Sequence, residues 1–511
     1  MKMNTRSKTT STLMSATLAL SVASSCKKQT SEETAAPTND TAAMEPEAEA
    51  KPEKVYPAPP PPTDPRPVNF PEILTAELPN KMQIVVVENH EVPLVNVQVV
   101  VKAGTVYDEL IGNMTADMLS EGTKKRSKEK VDAAIEQLGA SIGVFASEDN
   151  AYISTSVLKP DLKKAMELVA DVAQNPKFDD AALEKKKKQA IENVKGQKSD
   201  ASTLGRTLMS QLLYPEGHPY AEDFWTDEQI QAVSTEQLAE FHSAWYRPNN
   251  AYIMFSGDIT MDEAKKVAKK YFGYWKPADS FGEHPLSNFT GEQYQAALPS
   301  KLQVHVVDRK SASVEIYMGN LSMARNSADW ESMTVLNRVF GSGITSRLFA
   351  DIRETKKLTY NVGSYTAPAK GVGVFAIATQ TKKVAEMMNA LFEHVRDIRE
   401  SGPTEEEFVE ARDSIARSFP LQIETASQVA GRTRTVLTYG LDSDYWNTYR
   451  DRVLAVSREQ TIDAAQKYIH AVPVIVMVGR EKKIRAQLAD VPLLKDAEVI
   501  VYDTDLNPKA K

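Results

Sequence analysis

The chain has 511 residues, 42% of them hydrophobic and 25% charged, which is ordinary for globular protein and enough for about two domains of roughly 200 residues. The net charge of −8 and the pI near 5.6 argue against a nucleic-acid partner, because phosphate binding needs a basic face. The single cysteine, Cys26, excludes an intrachain disulfide and a cysteine-based zinc cluster.

Residues 1–26 have the pattern of a secretory signal. A positively charged start and a short apolar run lead to small residues before Cys26. This ending resembles the bacterial lipobox, with Ala23 where leucine is usual, and implies that the cysteine is lipidated. The alternative is a plain cleaved signal with an incidental cysteine. We expect a lipoprotein signal peptide and an acyl anchor in the membrane, because no later stretch reaches the ~18 apolar residues of a spanning helix.

Residues 27–69 are rich in glutamate, threonine, alanine and proline, with a proline run at 57–62. Such a segment buries too little apolar surface to offset its ordering entropy, and its prolines favour extended polyproline II. We therefore predict a disordered tether that holds the body off the membrane.

The rest of the sequence contains an internal repeat. Three short segments recur later in the same order: 81–88 in 301–308, 233–237 in 456–460, and 252–257 in 474–479. Their offsets of 220, 223 and 222 residues are too similar to assign to chance. The sequence therefore predicts two copies of one unit, at 70–280 and 281–505.

Each unit has an α+β pattern. The elements predicted for the first unit, in chain order, are strands at 83–87 and 94–101, helices at 113–121 and 129–138, a strand at 152–158, helices at 160–174, 180–197 and 202–213, a strand at 251–257 and a helix at 261–272. Strands at both ends with helices between them predict one mixed sheet covered on one side by helices.

Two short motifs connect this architecture to a known family. Gly122-Thr123 follows a short predicted helix, and the run 246–250 (Tyr-Arg-Pro-Asn-Asn) precedes the strand at 251–257. Together with the two units, these motifs resemble the insulinase/pitrilysin zinc peptidases, over residues 68–505. The similarity is greatest to the short-chain branch that includes mitochondrial processing peptidase, and it implies half of a clamshell. The stretch 218–220 (His-Pro-Tyr) is also similar to a family segment, although a turn with a packed aromatic is the simpler interpretation.

Active members of this family carry the inverzincin motif H-x-x-E-H, in which two histidines bind zinc and the glutamate takes a proton from metal-bound water. Anchored on Gly122-Thr123, the motif falls on residues 113–117. The resemblance then places Asn113 and Asp117 at the two histidines, Ala116 at the base, and Asn193 at the distal glutamate ligand. We expect no catalytic residue and no metal ligand in this degenerate site.

No other local metal site is evident in the sequence. The seven histidines are at least 21 residues apart. Asn113, Asp117 and Asn193 could surround a hard cation such as calcium, but one carboxylate and two amides make a weak site. A hydrogen-bonded polar cluster is the favoured interpretation. Without a base at Ala116, the chain alone is not expected to hydrolyse peptides.

The second unit retains a constellation of its own. Glycines at 341 and 343 permit a tight turn, after which an apolar helical stripe is expected to end near Thr355, with a strand at 358–365. Arg353 and Tyr360 resemble the family's Arg/Tyr pair, which in active relatives reaches across the chamber to the substrate backbone. The alternative is a helix-end arginine in a surface ion pair and a tyrosine packed in the sheet.

This combination implies a non-catalytic, substrate-positioning subunit of a heterodimeric zinc endopeptidase in the bacterial envelope, on the periplasmic side. The expected partner is a paralogous subunit that bears H-x-x-E-H and holds the zinc, and the expected substrate is an unstructured peptide. This chain itself would need no cofactor. Two alternatives are a purely structural or binding lipoprotein and a stand-alone metallopeptidase with a rebuilt site.

Overall fold

The structure is a computed structural model that describes residues 70–509. The predicted signal peptide, Cys26 and the tether lie outside the described residues. Within them, no helix combines the length and apolar character that crossing a membrane requires. Two six-stranded mixed sheets form the framework of the body.

The first sheet has the strand order β1-β2-β6-β3-β5-β4. Its strands are β1 (Leu74–Glu77), β2 (Gln83–Glu88), β3 (Leu94–Val101), β4 (Gly143–Ala146), β5 (Ala151–Leu158) and β6 (Ala251–Gly257). β2 and β6 run parallel, and every other neighbouring pair is antiparallel. The central strand β6 is buried along its whole length, as a continuous apolar run predicts.

The second sheet repeats this order as β12-β7-β11-β8-β10-β9. Its strands are β7 (Gln303–Asp308), β8 (Val314–Leu321), β9 (Val362–Ala367), β10 (Val374–Thr381), β11 (Val474–Gly479) and β12 (Glu498–Tyr502). The register repeats as well, since Val85 pairs with Met254 in the first sheet and the corresponding His305 pairs with Val476 in the second. The predicted fold of two homologous α+β units is confirmed.

The outer strand beside β2 and β7 has a different origin in the two sheets. β1 precedes β2 in the chain and pairs with it antiparallel, whereas β12 closes the second half and pairs parallel to β7. The repeat therefore covers the other five strands of each sheet.

Helices cover one face of each sheet. Those of the first half are α1 (Glu109–Leu119), α2 (Lys128–Glu136), α3 (Leu162–Gln174), α4 (Asp180–Ser199), α5 (Ala201–Leu213), α6 (Asp227–Ala232), α7 (Thr235–Trp245) and α8 (Met261–Phe272). Met166 of α3 and Phe272 of α8 are fully buried in one core with Ile84 and Ile253 of the sheet. This arrangement agrees with the apolar period of these helices.

The second half has a matching set of helices. After α9 (Gly291–Ala296) in the connecting segment, they are α10 (Trp330–Phe340), α11 (Val384–Glu400), α12 (Glu405–Ser418), α13 (Ala426–Tyr439), α14 (Tyr445–Ala455), α15 (Arg458–Tyr468) and α16 (Glu481–Leu488). A π-helix at Phe349–Thr355 lies between α10 and β9. The predicted strand at 358–365 is wrong at its start, because β9 begins at Val362 and Tyr360 lies in the preceding loop.

The second face of each sheet is covered by a helix from the other half. α5 packs on β8 and β11, and α13 packs on β2 and β6. Gly205 permits the close approach of α5, because a Cβ there would lie 2.4 Å from the ring of Tyr317. The two halves are therefore interlocked, which the one-sided prediction did not include.

An aromatic cluster fastens the segment that connects the halves. His218 is buried, its ring stacks on Tyr214, and its Nε2 lies 2.8 Å from the hydroxyl of Tyr294 in α9. Burial lowers the pKa of His218 to about 4, so its ring is neutral at physiological pH. The stretch 218–220 is thus a turn with packed aromatics.

Candidate functional site

Helix α1 carries the degenerate motif and is well anchored. The side chain of Asp108 accepts a hydrogen bond of 2.9 Å from the backbone N–H of Ile111 and so caps the helix. Met114 and Met118 pack into the core that α5 forms with the second sheet. The helix is therefore held from both halves, and the fold fixes where its polar positions lie.

The Gly122-Thr123 anchor has a structural role. Gly122 has φ +116°, a conformation that side chains disfavour. The hydroxyl of Thr123 donates to buried Asp171 at 2.7 Å, and Arg126 donates to the same carboxylate oxygen at 2.6 Å. This network joins the end of α1 to α3.

The four degenerate positions have different surroundings. Asn113 donates to the backbone carbonyl of Glu109 at 2.8 Å, and Ala116 is buried. Asp117 and Asn193 are exposed residues. Desolvation raises the pKa of Asp117, an effect that Lys186 opposes. In the described part of the chain, no hydrogen bond joins the side chains of Asn113, Asp117 and Asn193 to one another.

These residues do not fit a zinc ion. One amide bonded to its own helix, one methyl group and a lone exposed carboxylate offer neither imidazoles nor a base. Within residues 70–509, no three His, Cys, Asp or Glu side chains are grouped so that they could hold a metal ion. No catalytic step can be derived through a metal held by this helix.

A cavity of about 670 Å³ lies beside α1, between the two halves. Asn113 and Glu109 line it from α1, and Val194 from α4, next to the exposed Asn193. Tyr317 and Tyr365 line it from the second sheet. Burial raises the pKa of Glu109 to about 7, an effect that the indole N–H of Trp225 opposes.

Two sheet edges border this cavity. β4 and β9 each form one edge of their sheet, and Ala146 and Tyr365 on them line the cavity. The β9 edge is partly occupied, because the backbone N–H of Ser364 donates to the carbonyl of Gly341 at 3.2 Å. The outer backbone groups of an edge strand can pair with an added strand. The arrangement can therefore accept an extended peptide.

Arg353 and Tyr360 lie elsewhere, and neither lines this cavity. Arg353 is in the π-helix, where its guanidinium stacks 4.5 Å from the ring centre of Phe349 and its Nε lies 3.5 Å from a carboxylate oxygen of Glu354. Tyr360 is 91% exposed. The pair thus presents donors to the outside of this chain.

The π-helix itself is tied to the second-half core. Asp351 accepts a hydrogen bond at 2.8 Å from Nε2 of His394 on α11, and it also pairs with Lys356. Ile352 is fully buried. A π-turn often marks a functional position, and here it orients Arg353 outward.

Sequence reasoning did not find the other polar residues of the cavity. Glu109 could have been found, because it lies four residues before Asn113 on the same helix face. Glu222, Asp223 and Trp225 could not, since only the folded chain brings their loop to α1.

Comparison with known families gives two matches that follow one another along the chain. Residues 83–216 match "Insulinase (Peptidase family M16)", and residues 232–415 match "Peptidase M16 inactive domain". Together they cover more than half of the chain.

Curated relatives extend over most of the body. A protein named "Non-peptidase homolog YmxG" from Helicobacter pylori is 22% identical over 394 residues, which are 75% of this chain and 88% of that protein. An "Uncharacterized zinc protease YmxG" from Bacillus subtilis is 23% identical over 363 residues, 69% of this chain and 85% of that protein.

Solved structures share the fold. The peptidase M16 inactive domain from Pseudomonas fluorescens has a TM-score of 0.72 and 23% identity, covering 80% of this chain and 98% of that one. The periplasmic protease PqqL from Escherichia coli has a TM-score of 0.67 and 14% identity, covering 81% of this chain but 48% of that one. The repeated sheets, the two family matches and these neighbours agree, and the chain belongs to the M16 (insulinase) family.

Proposed function

We propose that this chain is a non-catalytic, substrate-positioning subunit of a heterodimeric zinc endopeptidase of the bacterial envelope. The observation that carries the proposal is a contrast between its two halves. α1 offers an amide, a methyl group and one exposed carboxylate where a peptidase needs zinc ligands and a base. Arg353 and Tyr360 of the second half remain available at the surface.

The outward position of this pair supports a partner. A tyrosine that is 91% exposed and an arginine outside the chain's own cavity can act only on groups that another molecule brings. Arg353 offers charged donors for peptide carbonyls, and the hydroxyl of Tyr360 can donate to a developing oxyanion. The partner we propose is a paralogous subunit that bears H-x-x-E-H and holds the zinc.

The size relation to PqqL is compatible with this pairing. This chain aligns with 48% of that longer chain and with 95% of a structure of its first half. A body of twice this size therefore exists in the family as one polypeptide. Here, a second chain would supply the corresponding half.

The substrate we propose is an unstructured peptide. An extended peptide can pair with the edge of β4, where backbone hydrogen bonds give affinity without a particular sequence. Such an edge cannot pair with a segment already folded into its own sheet or helix. The site would thus select unfolded segments.

The envelope location rests on two supports. The segment 1–26 has the pattern of a lipoprotein signal ending at Cys26, and the printed name of PqqL describes that protein as periplasmic. We propose that acyl chains anchor the protein and that the body faces the periplasm.

Substitution of the Arg/Tyr pair in the assembled complex tests the proposal. With the paralogue co-expressed, Arg353→Ala and Tyr360→Phe should each lower kcat/KM for an unstructured peptide by about tenfold or more, because each removes a transition-state donor. Zinc content and complex mass should stay unchanged, since neither residue holds metal.

Two matched controls keep this test specific. Arg396→Ala removes an exposed arginine of α11, and Tyr274→Phe alters a tyrosine that is 96% exposed in the first half. Both should leave turnover unchanged. If the pair variants retain full turnover, the positioning role is wrong. Stable assembly with a partner that lacks H-x-x-E-H would support a structural lipoprotein instead.

A further inference from the structure

The segment that carries Arg353 is anchored just before its π-helix. Nε and Nη2 of Arg347 both donate to the carboxylate of Glu407 on α12, each at 2.6 Å. Such a bidentate pair fixes orientation as well as position. The start of the π-helix is therefore held against the second half of the body.

The π-helix itself needs a second anchor. The backbone N–H of Lys356 donates to the carbonyl of Asp351, five residues earlier, at 2.7 Å. This wider turn holds more residues than an α-helical turn and is the rarer arrangement. Relaxation to an α-helix would rotate the residues on one side of the turn by about 100° relative to those on the other. Because Arg353 lies inside the turn, such a change would alter the direction of its guanidinium.

His394 on α11 supplies this second anchor. Its Nε2 donates to the carboxylate of Asp351 at 2.8 Å, and only 15% of the His394 side chain is exposed. The helix that carries it is fixed in the core, where Leu391 and Ile398 are fully buried. The contact therefore ties the π-helix to a rigid element.

Lys356 does not replace this anchor. Its ammonium pairs with Asp351, but that contact lies within the segment and cannot hold the segment to the core. Its contact with Glu393 of α11 spans 4.0 Å between exposed side chains, where water weakens the attraction.

We propose that His394 is a positioning residue, which holds the π-helix through Asp351 so that the guanidinium of Arg353 is presented to a bound substrate. This role rests on the proposed function, because Arg353 acts on a substrate only within the assembled peptidase. His394 acts through Asp351 and not on the substrate itself.

Turnover by the assembled complex tests the consequence. His394→Leu removes the donor at similar side-chain volume and should lower kcat about threefold or more, with a smaller change in KM, because it displaces a donor used in the transition state. His394→Gln should recover most of this loss, since its amide nitrogen lies the same number of bonds from Cα as Nε2 does. Glu386→Gln, which removes an exposed carboxylate of α11, should leave kcat unchanged.

A double variant separates positioning from a general loss of structure. If His394 acts through Arg353, adding His394→Leu to Arg353→Ala should lower kcat by less than about a further twofold. Losses that multiply in the double variant, or full turnover of His394→Leu, would overturn the proposal.

Trypsin cleavage of the full chain alone tests the anchor without a partner. Cleavage after Arg353 requires the π-helix to open locally, so His394→Leu should raise its initial rate several-fold, whereas His394→Gln should not. Mass spectrometry assigns the cleaved bond. An unchanged rate in His394→Leu would overturn the proposal and leave the proposed function standing. If instead Arg353→Ala retains full turnover in the complex, the proposed function fails and the positioning role fails with it.

Discussion

The two halves have the same sheet topology, but a corresponding helix position has different surroundings in each half. α1 and α10 occupy corresponding positions, with Glu109 and Glu331 separated by 222 residues. Glu331 is bound by the hydroxyl of Tyr445 at 2.8 Å and by Nε of Arg452 at 3.1 Å. Glu109 instead lies among other carboxylates at the cavity. In the second half this position is bonded into the core, and in the first half it borders open space.

The comparison indicates which features the fold has kept. Buried positions such as those of β6 and β11 are mostly apolar in both halves, because a buried polar group without a partner costs free energy. Of the degenerate motif positions on α1, Asn113 lines the cavity, Asp117 is exposed and Ala116 is buried. Substitution of an exposed residue changes the available chemistry with little effect on stability. The packing of the sheets is retained in both halves.

The largest loss of stability should come from the hydrogen-bond network that joins Thr123 and Arg126 to Asp171. Asp171→Ala removes a buried carboxylate that accepts from Thr123, Arg126 and Asn175. Loss of one partner of a buried ion pair should lower the free energy of unfolding by about 3–5 kcal/mol. Glu192→Ala on α4, which breaks an exposed ion pair with Lys195, should cost less than about 1 kcal/mol. Similar urea midpoints for the two variants would contradict this account of the anchor.

Glycine-to-alanine substitution should change the free energy of unfolding in opposite directions in the two interlocking helices. Gly205→Ala in α5 places a methyl group against Tyr317 and should cost about 1–3 kcal/mol. Gly431→Ala in α13 meets nothing closer than Arg434 at 3.9 Å and should stabilise the chain by about 0.5–1 kcal/mol. Urea unfolding of the full chain measures both. Stabilisation by both substitutions would mean that α5 does not pack closely on the second sheet.

The two corresponding glutamates should respond differently to pH. The pKa of Glu109 is raised from 4.5 to about 7, so the folded state holds a proton that the unfolded state releases, and stability falls as pH rises between these values. Glu109→Gln should therefore raise stability by about 1–2 kcal/mol at pH 8, after allowance for partial exposure, with no gain near pH 4.

Glu331→Gln is the matched variant. It leaves Arg452 and Tyr445 without their charged acceptor and should destabilise the chain at pH 8 by about 1–3 kcal/mol. Thermal melts of both variants at pH 8 and near pH 4 measure whether each substitution stabilises or destabilises the chain. A loss of stability in Glu109→Gln at pH 8 would show that the charged form of this carboxylate is stabilised in the fold, which contradicts its raised pKa.

The repeat made much of the fold predictable. Apolar runs located β6 and α8 at their observed limits, and the offsets near 222 residues predicted a second copy. α1 was predicted to start four residues late, although Asp108 is a residue type that favours the N-cap position. The exchange of α5 and α13 between sheets was not predicted, since periodicity identifies an apolar face but not the surface that covers it.

The candidate site was predictable only as a set of positions. The motif alignment named Asn113, Asp117 and Asn193, but the exposure of Asp117 and Asn193 depends on how α1 and α4 are rotated in the fold. Tyr360 was expected in a strand because of its apolar neighbours. The structure instead places it in a loop, where it is exposed.

Zinc content and peptide cleavage by the full chain alone test the central claim most directly. We predict that the purified chain, incubated with zinc and then desalted, retains far less than one zinc per molecule and does not cleave an unstructured peptide. The complex with the H-x-x-E-H paralogue should retain zinc and cleave the peptide. Stoichiometric zinc with chelator-sensitive cleavage by the chain alone would contradict a non-catalytic role.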